Sequence, residues 1–568
     1  MIAIGARLAG VRLRLLGVAG LIVLAGSAAG VSQLQPARAS SPLTFDTVNI
    51  DKGGFEPRIA VGPDNQRWDS TQDATGAIEV VFGSKTGHTW TRTASDPPST
   101  PGPCCDNDMI VTPTGRLISS IIDNVSLQIK VHYSDDNGAT WSNSTGTTFV
   151  DQDRQWFAVG PKDATTGQNV VYMLWHNLGS GTADHEMLVS TSRDNGATFL
   201  PPVPVTLPGS QAWLDLQCAD SGGPSNIVTN PKTGQVYAIF GTRSSALGGC
   251  GASVLGPFEI NIVAATRAWV STSTDEGLTW SPSLAVDDST AGNIVGMQVN
   301  AGAVDNSGNV YVVYPESPNK YPDYSGAAIK YRWAPADLSH WSNAVTVAPA
   351  GGAGHILADL VAGDAGKLGF FYVTGVAQGG QKPPLWYPTS AETLNGLDAS
   401  PAVSEVRIAN VPMWTGTATT LMGACNTLGG LPQTPPFDTI DTAVSGFTCG
   451  RSSDVLGMSI DSSCHFMSTW YASQVSDGGI GGAPAGSQGT YVSTQNGGSP
   501  LGTSCSVGGL PPATSTSSGG SNPATNPVIG GSGGTPNTSA GTAFPAALFL
   551  VVLAALAAGV IGRRSWRS

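Results

Sequence analysis

Arginine and aspartate residues stand in front of several short apolar runs of this sequence, where they could serve anion binding or acid–base chemistry. They are Arg58, Asp106, Asp108, Asp153, Arg154, Asp359, Arg451 and Asp454. Arginine binds a carboxylate through two parallel hydrogen bonds, and a pair of carboxyl groups is what glycoside hydrolysis requires. If the apolar runs are the innermost strands around a channel, these charged side chains meet at one end of it.

Seven pairs of apolar runs follow such positions, and a short turn rich in Gly, Asn or Asp joins the two runs of each pair. The first runs begin near Arg58, Asp108, Trp156, Asn226, Gly302, Ala358 and Gly457. Many short strands at regular spacing indicate an all-β protein, and the repetition indicates a β-propeller with four-stranded blades around a channel. The spacing predicts six or seven blades, the seventh pair being either a blade or an inserted hairpin.

An eight-residue pattern occurs three times and reads Ser-x-Asp-x-Gly-x-Thr followed by Trp or Phe. Its residues are Ser134, Asp136, Gly138 and Trp141; Ser192, Asp194, Gly196 and Phe199; and Ser273, Asp275, Gly277 and Trp280. Ser and Asp side chains bind backbone N–H groups in tight turns, Gly adopts a positive φ, and the aromatic ring packs on a neighbouring strand. The pattern therefore predicts a structural turn between strands and not a reacting centre.

The three copies resemble the Asp-box, or BNR repeat, of sialidases and related β-propellers. The resemblance implies a sialidase-like propeller over residues 43–500. Sialidases hold the carboxylate of sialic acid with three arginines, the first of them in a Phe/Tyr-Arg-Ile-Pro motif, and Arg58-Ile59 matches two residues of that motif. The family also uses an Asp as acid/base further along the first blade. The catalytic residues implied here are Arg58 with Asp69 and Asp73.

Three functions follow from these residues. We expect first a surface domain that binds a glycan or another cell-envelope ligand at the propeller mouth. The alternatives are an active exo-sialidase-type glycoside hydrolase and a protein-interaction domain without catalysis. The candidate binding residues are Arg58, Asp106, Asp108, Asp153, Arg154, Arg451 and Asp454, with Trp213 as an aromatic platform for a sugar ring.

The two ends of the chain predict export and membrane anchoring. Residues 1–39 have the basic start, apolar run and Ala-x-Ala site of a signal peptide. Residues 506–543 form an uncharged linker rich in Gly, Ser, Thr and Pro. Residues 544–562 are apolar and long enough to span a bilayer, and the basic tail 563–568 is expected in the cytoplasm. We expect a single-pass bacterial membrane protein with its propeller outside the cell.

Charge and cysteine content agree with that placement. The net charge of −13 argues against a nucleic-acid partner. The 8 cysteines are even in number, which indicates disulfides in an oxidising compartment. Spacing favours Cys218–Cys250 and Cys425–Cys449, and the adjacent Cys104 and Cys105 are expected to bond to separate partners. The sequence has no C-x-x-C pair or histidine cluster, so no metal or cofactor is expected. The oligomeric state is left open.

Overall fold

The structure is a computed structural model that describes residues 42–505 apart from internal gaps. The gaps are residue 55 and residues 74–77, 99–105, 124–125, 127, 150–151, 178–183, 219–222, 246–264, 290–292, 296–300, 321–325, 379–383, 416–456, 473–486 and 504. The predicted signal peptide, linker, membrane helix and basic tail lie outside the described residues, as do Arg451 and Asp454. Within the described part, no helix is long and apolar enough to cross a bilayer.

The described strands form seven antiparallel sheets arranged as the blades of a propeller. After β1 (Thr44–Asp51), blade one contains β2 (Arg58–Val61), β3 (Arg67–Gln72), β4 (Glu79–Ser84) and β5 (Thr91–Arg92). Blade two contains β6 (Asp108–Val111), β7 (Leu117–Asp123), β8 (Gln128–Ser134) and β9 (Ser142–Asn143). Blade three contains β10 (Gln152–Lys162), β11 (Asn169–Asn177), β12 (Met187–Ser192) and β13 (Val203–Pro204), and the helix α1 (Gln211–Leu216) follows it.

The remaining blades follow the same order, from an inner strand to an outer one. Blade four contains β14 (Pro224–Thr229), β15 (Val236–Thr242), β16 (Arg267–Ser273) and β17 (Ser281–Asp287). Blade five contains β18 (Asn293–Val295), β19 (Gly302–Val304), β20 (Val310–Lys320), β21 (Ala328–Ala334) and β22 (Val345–Ala348). Blade six contains β23 (His355–Ala362), β24 (Leu368–Val376), β25 (Leu385–Thr393), β26 (Ser404–Arg407) and β27 (Trp414–Thr415). Blade seven contains β28 (Gly457–Ile460), β29 (Phe466–Ala472) and β30 (Gly489–Gly497), with β1 as its outer strand.

The second strand of a blade carries the core of the propeller. In β7, β15 and β29 every residue is buried, because both faces of the strand pack against neighbouring blades. Such strands read as continuous runs of apolar and small residues rather than as an alternation. The prediction of an all-β propeller with four-stranded blades is confirmed, and the described residues form seven blades.

The last blade closes the ring by joining the two ends of the propeller. The N-terminal strand β1 pairs with β30, from Thr44 opposite Gly497 to Asp51 opposite Thr490. A disulfide between Cys464 and Cys505 then fixes the segment after β30 to the turn between β28 and β29. This pairing is not among those that spacing favoured. Cys218 is also disulfide-bonded, whereas Cys104, Cys105, Cys250, Cys425 and Cys449 lie outside the described residues.

The three Ser-x-Asp-x-Gly patterns form one and the same turn between the third and fourth strands of blades two, three and four. In blade two, Ser134 Oγ accepts from Gly138 N–H at 2.9 Å, and Asp136 Oδ1 accepts from Thr140 N–H at 2.8 Å. Gly138 has a φ of 78°, which suits glycine. The equivalent bonds in the other two boxes measure 2.9 Å to the serine and 2.8 or 2.9 Å to the aspartate.

These turns define two faces of the propeller. The box face carries the Asp-box turns and the turns that end the inner strands. The mouth face is the opposite end, where inner strands such as β2 and β6 begin with Arg58 and Asp108. The boxes therefore lie at the far end of the strands from the charged residues that precede them.

Candidate functional site

A cavity of about 270 Å³ follows the propeller axis between the inner strands. Toward the box face its wall is mainly apolar and includes Val111, Val304 and Ile460, with Thr229 and Asn306 as polar members. Its charged lining residues are Arg58, Asp108 and Asp359, each standing four residues before the turn that ends its inner strand. The cavity thus joins an apolar interior to a charged end at the mouth face.

Arg58 connects three blades at that end. Its Nε donates to Asp108 Oδ1 at 2.9 Å, and its Cζ lies 4.7 Å from the centre of the Trp156 ring. A guanidinium over an indole face is attracted by the ring quadrupole. Asp108 Oδ2 in turn accepts from the Phe157 N–H at 2.7 Å. Burial raises the pKa of Asp108, and Arg58 opposes that rise.

Asp359 occupies the corresponding position in blade six and is half-buried. Its Oδ1 accepts from the Leu360 N–H at 2.8 Å. Burial raises the pKa of Asp359 to about 6, while Arg58 and the Leu360 and Met458 N–H groups lower it. Asp359 therefore changes its charge near neutral pH, next to Arg58.

Asn226 supplies the same position in blade four. Its side-chain amide accepts from the Gly302 N–H at 3.0 Å and donates to the Gly302 carbonyl at 2.8 Å. Asp108, Asn226 and Asp359 thus reach the backbone of blades three, five and seven. Polar residues at the mouth face have a structural role in joining consecutive blades.

Three charged residues form the rim of the mouth face. They are Asp106, which precedes β6, and Asp153 and Arg154, which lie at the start of β10. Arg154 Nη1 lies 3.7 Å from Asp106 Oδ1, and its Nε lies 3.8 Å from Asp153 Oδ2. Its side chain is only 5% exposed. Arg154 and Asp106 both have a positive φ, of 53° and 52°, which is uncommon outside glycine. Arg58 and Arg154, the predicted site arginines that the structure describes, are thus both accompanied by aspartates.

The other predicted site residues lie away from the cavity lining. Asp69 is fully buried in β3. Burial raises its pKa well above the usual value, with Thr469 and Arg58 acting in the opposite direction. Asp73 follows β3, and its N–H bonds to the Ile78 carbonyl at 2.9 Å. Trp213 lies in the short helix α1. Of the predicted residues that the structure describes, only Arg58 and Asp108 line the cavity.

The sequence places Asp359 at the mouth without singling it out as a binding residue, and it does not include Asn226 among the site residues. The signal that could have found them is their position, since both stand four residues before the turn that ends an inner strand, as Arg58 and Asp108 do. A polar residue at the start of an otherwise apolar inner strand must face either the cavity or the next blade.

The described residues form a seven-bladed β-propeller with three Asp-box turns, which fits the BNR-type propeller that the sequence pattern indicates. Residues 59–292 match the family described as BNR repeat-like domain. That match begins in the first inner strand and includes all three Asp-boxes. No curated protein has a matching sequence.

Solved structures with a similar chain path include enzymes that act on polysaccharides. An ulvan lyase of polysaccharide lyase family 25 is 10% identical and covers 80% of this chain and 97% of its own, with a TM-score of 0.47. An α-L-arabinofuranosidase of Fusarium graminearum is 13% identical and covers 65% of this chain and 98% of its own, with a TM-score of 0.35. A protein of unknown function from Dyadobacter fermentans is 13% identical and covers 62% of this chain and 97% of its own, with a TM-score of 0.37. Likenesses at this level do not bear on the chemistry of this chain.

Proposed function

We propose that this protein is a cell-surface propeller that binds a glycan or another cell-envelope ligand at the mouth of its central channel. The observation that carries the proposal is the cavity itself, whose apolar wall ends in Arg58, Asp108 and Asp359. An apolar pocket with a few convergent polar groups is the usual form of a ligand site. Its volume of about 270 Å³ suits a single sugar ring or an end group.

The charges at this end favour a ligand rich in hydroxyl groups over an acidic one. One guanidinium faces two carboxyl groups, and Arg58 already donates to Asp108. A ligand carboxylate would have to compete with Asp108 for that arginine. A sugar hydroxyl can instead donate to a carboxylate and accept from Arg58. We therefore favour a neutral glycan end over sialic acid.

The cell-surface placement rests on the sequence. A signal peptide would export the propeller, and the uncharged linker with the apolar run 544–562 would tether it to the membrane. Cleavage of the first 39 residues and membrane association of the full chain in cell fractions are the measurements that test this part.

Binding of the purified full chain to a glycan array tests the proposal. The Arg58→Ala variant should lose at least tenfold in affinity, because it removes the cation and frees Asp108. The matched control is Arg116→Ala, since Arg116 also pairs with an aspartate, Asp135 at 2.7 Å, and lies 4.2 Å over an aromatic ring, Tyr133. Arg116 belongs to the box face, so its loss should leave binding unchanged. Equal losses in both variants would contradict the proposal. Recovery of an envelope protein with no glycan bound would favour a protein-interaction domain instead.

Glycoside hydrolysis is the second candidate, and Asp359 is the observation that favours it. A carboxyl group with a pKa of about 6 suits a general acid, and Asp108 lies close enough to influence that pKa. Turnover of a panel of fluorogenic glycosides, including a sialoside, would support hydrolysis if Asp359→Asn abolished it. The absence of turnover across the panel, with binding retained, would leave the binding function.

A further inference from the structure

Three polar side chains form a chain of contacts beside the rim, inside blade three. Asp153 Oδ2 lies 3.2 Å from His176 Nε2, and His176 Nδ1 lies 2.8 Å from His185 Nε2. His185 Nδ1 lies 3.1 Å from the Leu216 carbonyl oxygen. Both imidazoles are buried, whereas the Asp153 side chain is 21% exposed. The chain therefore leads from the interior to the rim.

The three contacts need one hydrogen each, and the two imidazoles in their neutral form supply one hydrogen too few. The Leu216 carbonyl can only accept, so His185 Nδ1 must carry a hydrogen. The Nε2 of a neutral His185 then accepts, and its hydrogen comes from His176 Nδ1. His176 Nε2 then carries no hydrogen, and it faces a carboxylate oxygen of Asp153 that can also only accept. Two neutral imidazoles supply two hydrogens for three contacts.

Reversing both tautomers moves the deficit without removing it. His176 Nε2 would then donate to Asp153, and His185 Nε2 would donate to His176. His185 Nδ1 would face the Leu216 carbonyl with no hydrogen between them. A buried acceptor left without a donor costs about 1–3 kcal/mol. The deficit is therefore a property of the three contacts together and not of one tautomer.

We propose that Asp153, His176 and His185 form a single protonation site, which at neutral pH holds a third hydrogen between Asp153 and His176. The proton comes from water and returns to it, and no other bond changes. With the third hydrogen in place, the side chains of Asp153, His176 and His185 together have no net charge. Without it the chain has one negative charge in buried surroundings, which is costly.

The charged groups around the chain decide where this hydrogen resides. Arg154 faces Asp153 from the same strand, and Asp106 faces Arg154 from before β6. Burial and Arg154 lower the pKa of His176 well below its usual value. Burial and His176 lower the pKa of His185 to about 3. Both rings are therefore neutral, which leaves the contact between Asp153 and His176 as the place of the third hydrogen.

Two further carboxylates and one amide border His185. Asp184 and Glu186 flank it in sequence, and burial raises the pKa of Glu186. The Gln217 side chain accepts from the His185 N–H at 3.1 Å and donates to the His185 carbonyl at 2.8 Å. These bonds hold the backbone of His185 in place, so its ring stays between His176 and Leu216.

The bound hydrogen changes the charge that the rim presents. It removes the negative charge of Asp153 beside Arg154, which Asp106 also faces. A ligand at the mouth should therefore bind with an affinity that depends on pH through this chain. Only this consequence rests on the proposed function, because the hydrogen count does not involve a ligand.

The hydrogens can be located directly by NMR on the full chain labelled with ¹⁵N at its 7 histidines. We expect hydrogens on Nδ1 of both His176 and His185 at neutral pH, and a strongly downfield-shifted resonance for the hydrogen shared with Asp153. Hydrogens on Nε2 of both rings, with no third resonance, would overturn the proposal. The wild-type spectrum alone decides between these outcomes.

The Asp153→Asn variant gives a second and independent readout. Its amide N–H can fill the contact to His176 Nε2 without an added proton, so the variant should release one proton fewer than the wild type in an alkaline titration. Asp64→Asn, which changes an exposed carboxylate in a box-face turn, should release as many as the wild type. Equal release by Asp153→Asn and wild type would contradict the proposal. Failure of every glycan to bind would reject the proposed function and leave these results intact.

Discussion

Glu79 is a carboxyl group that folding removes from water between blades one and two. Its Oε1 accepts from Ser70 Oγ at 2.9 Å and also from Ser119 Oγ. Burial raises its pKa from 4.5 to about 7, and the two serine hydroxyls only partly offset the effect. Between these values the folded protein keeps a proton that the unfolded chain has released. Stability should therefore fall as pH rises from about 4.5 to 7.

The Glu79→Gln variant should remove this pH dependence. Its amide keeps a polar partner for the serines and does not titrate. Above neutral pH the variant should be more stable than the wild type by about 3 kcal/mol, since each pKa unit corresponds to about 1.4 kcal/mol. At low pH the two should be equal. Denaturant unfolding across this pH range checks the difference, and parallel profiles would contradict the assignment.

Asp108 should be among the residues least tolerant of truncation. Asp108→Ala would remove the ion pair with Arg58 and the acceptor of the Phe157 N–H in a buried site, which costs about 3–5 kcal/mol. Asp135→Ala is the matched control, since Asp135 also pairs with an arginine but is 60% exposed. An exposed pair of that kind contributes about 0–1 kcal/mol. Similar losses of unfolding free energy in the two variants would mean that Asp108 has no buried role.

At the scale of the elements, the three Asp-boxes should behave as equivalent structural turns. In each, replacing the serine (Ser134, Ser192 or Ser273) with alanine leaves the buried glycine N–H without its acceptor. We expect each change to lower the unfolding free energy by roughly 1–3 kcal/mol. Ligand binding at the mouth should not change, because the boxes lie on the opposite face. Loss of binding without loss of stability would assign the boxes a direct role.

The elements that repeat could be read from the sequence. The Asp-boxes follow local rules of turn chemistry, and the inner strand pairs have a spacing that recurs along the chain, so both could be recognised residue by residue. The positive φ of Asp106, before β6, and of Arg154, within β10, could not be recognised in this way, because it depends on contacts with neighbouring blades. The Cys464–Cys505 pairing depends on how blade seven closes, which cysteine spacing does not record.

The candidate site could be predicted only in part, because some of its contacts are local to one strand and others join separate blades. The starts of the inner strands converge in any propeller, so Arg58 and Asp108 could be placed at the mouth from sequence. Which aspartate neutralises which arginine depends on distances between blades. Asp69 and Asp73 were chosen by their distance along the chain from Arg58, but the cavity is lined by inner strands, and Asp69 belongs to a second strand.

At the scale of the whole molecule, the Cys464–Cys505 disulfide should stabilise the closed ring. It closes a loop with a sequence separation of 41 residues, for which chain entropy predicts about 3–4 kcal/mol. The double variant Cys464→Ser, Cys505→Ser should lose about that much, as measured by denaturant unfolding. Reductant is a poorer test because it would also act on Cys218, which is disulfide-bonded. An unchanged midpoint in the double variant would mean that the pairing of β1 with β30 closes the ring alone.

The closure of blade seven also sets the face of the propeller at which the chain continues after Cys505. Thr44 pairs with Gly497 at the box face, and Cys505 is bonded to the turn between β28 and β29 on that same face. A tether that continues after Cys505 therefore starts from the pole opposite Arg58. A tag or an immobilising surface attached at that end should therefore leave the entrance of the channel at the mouth face accessible.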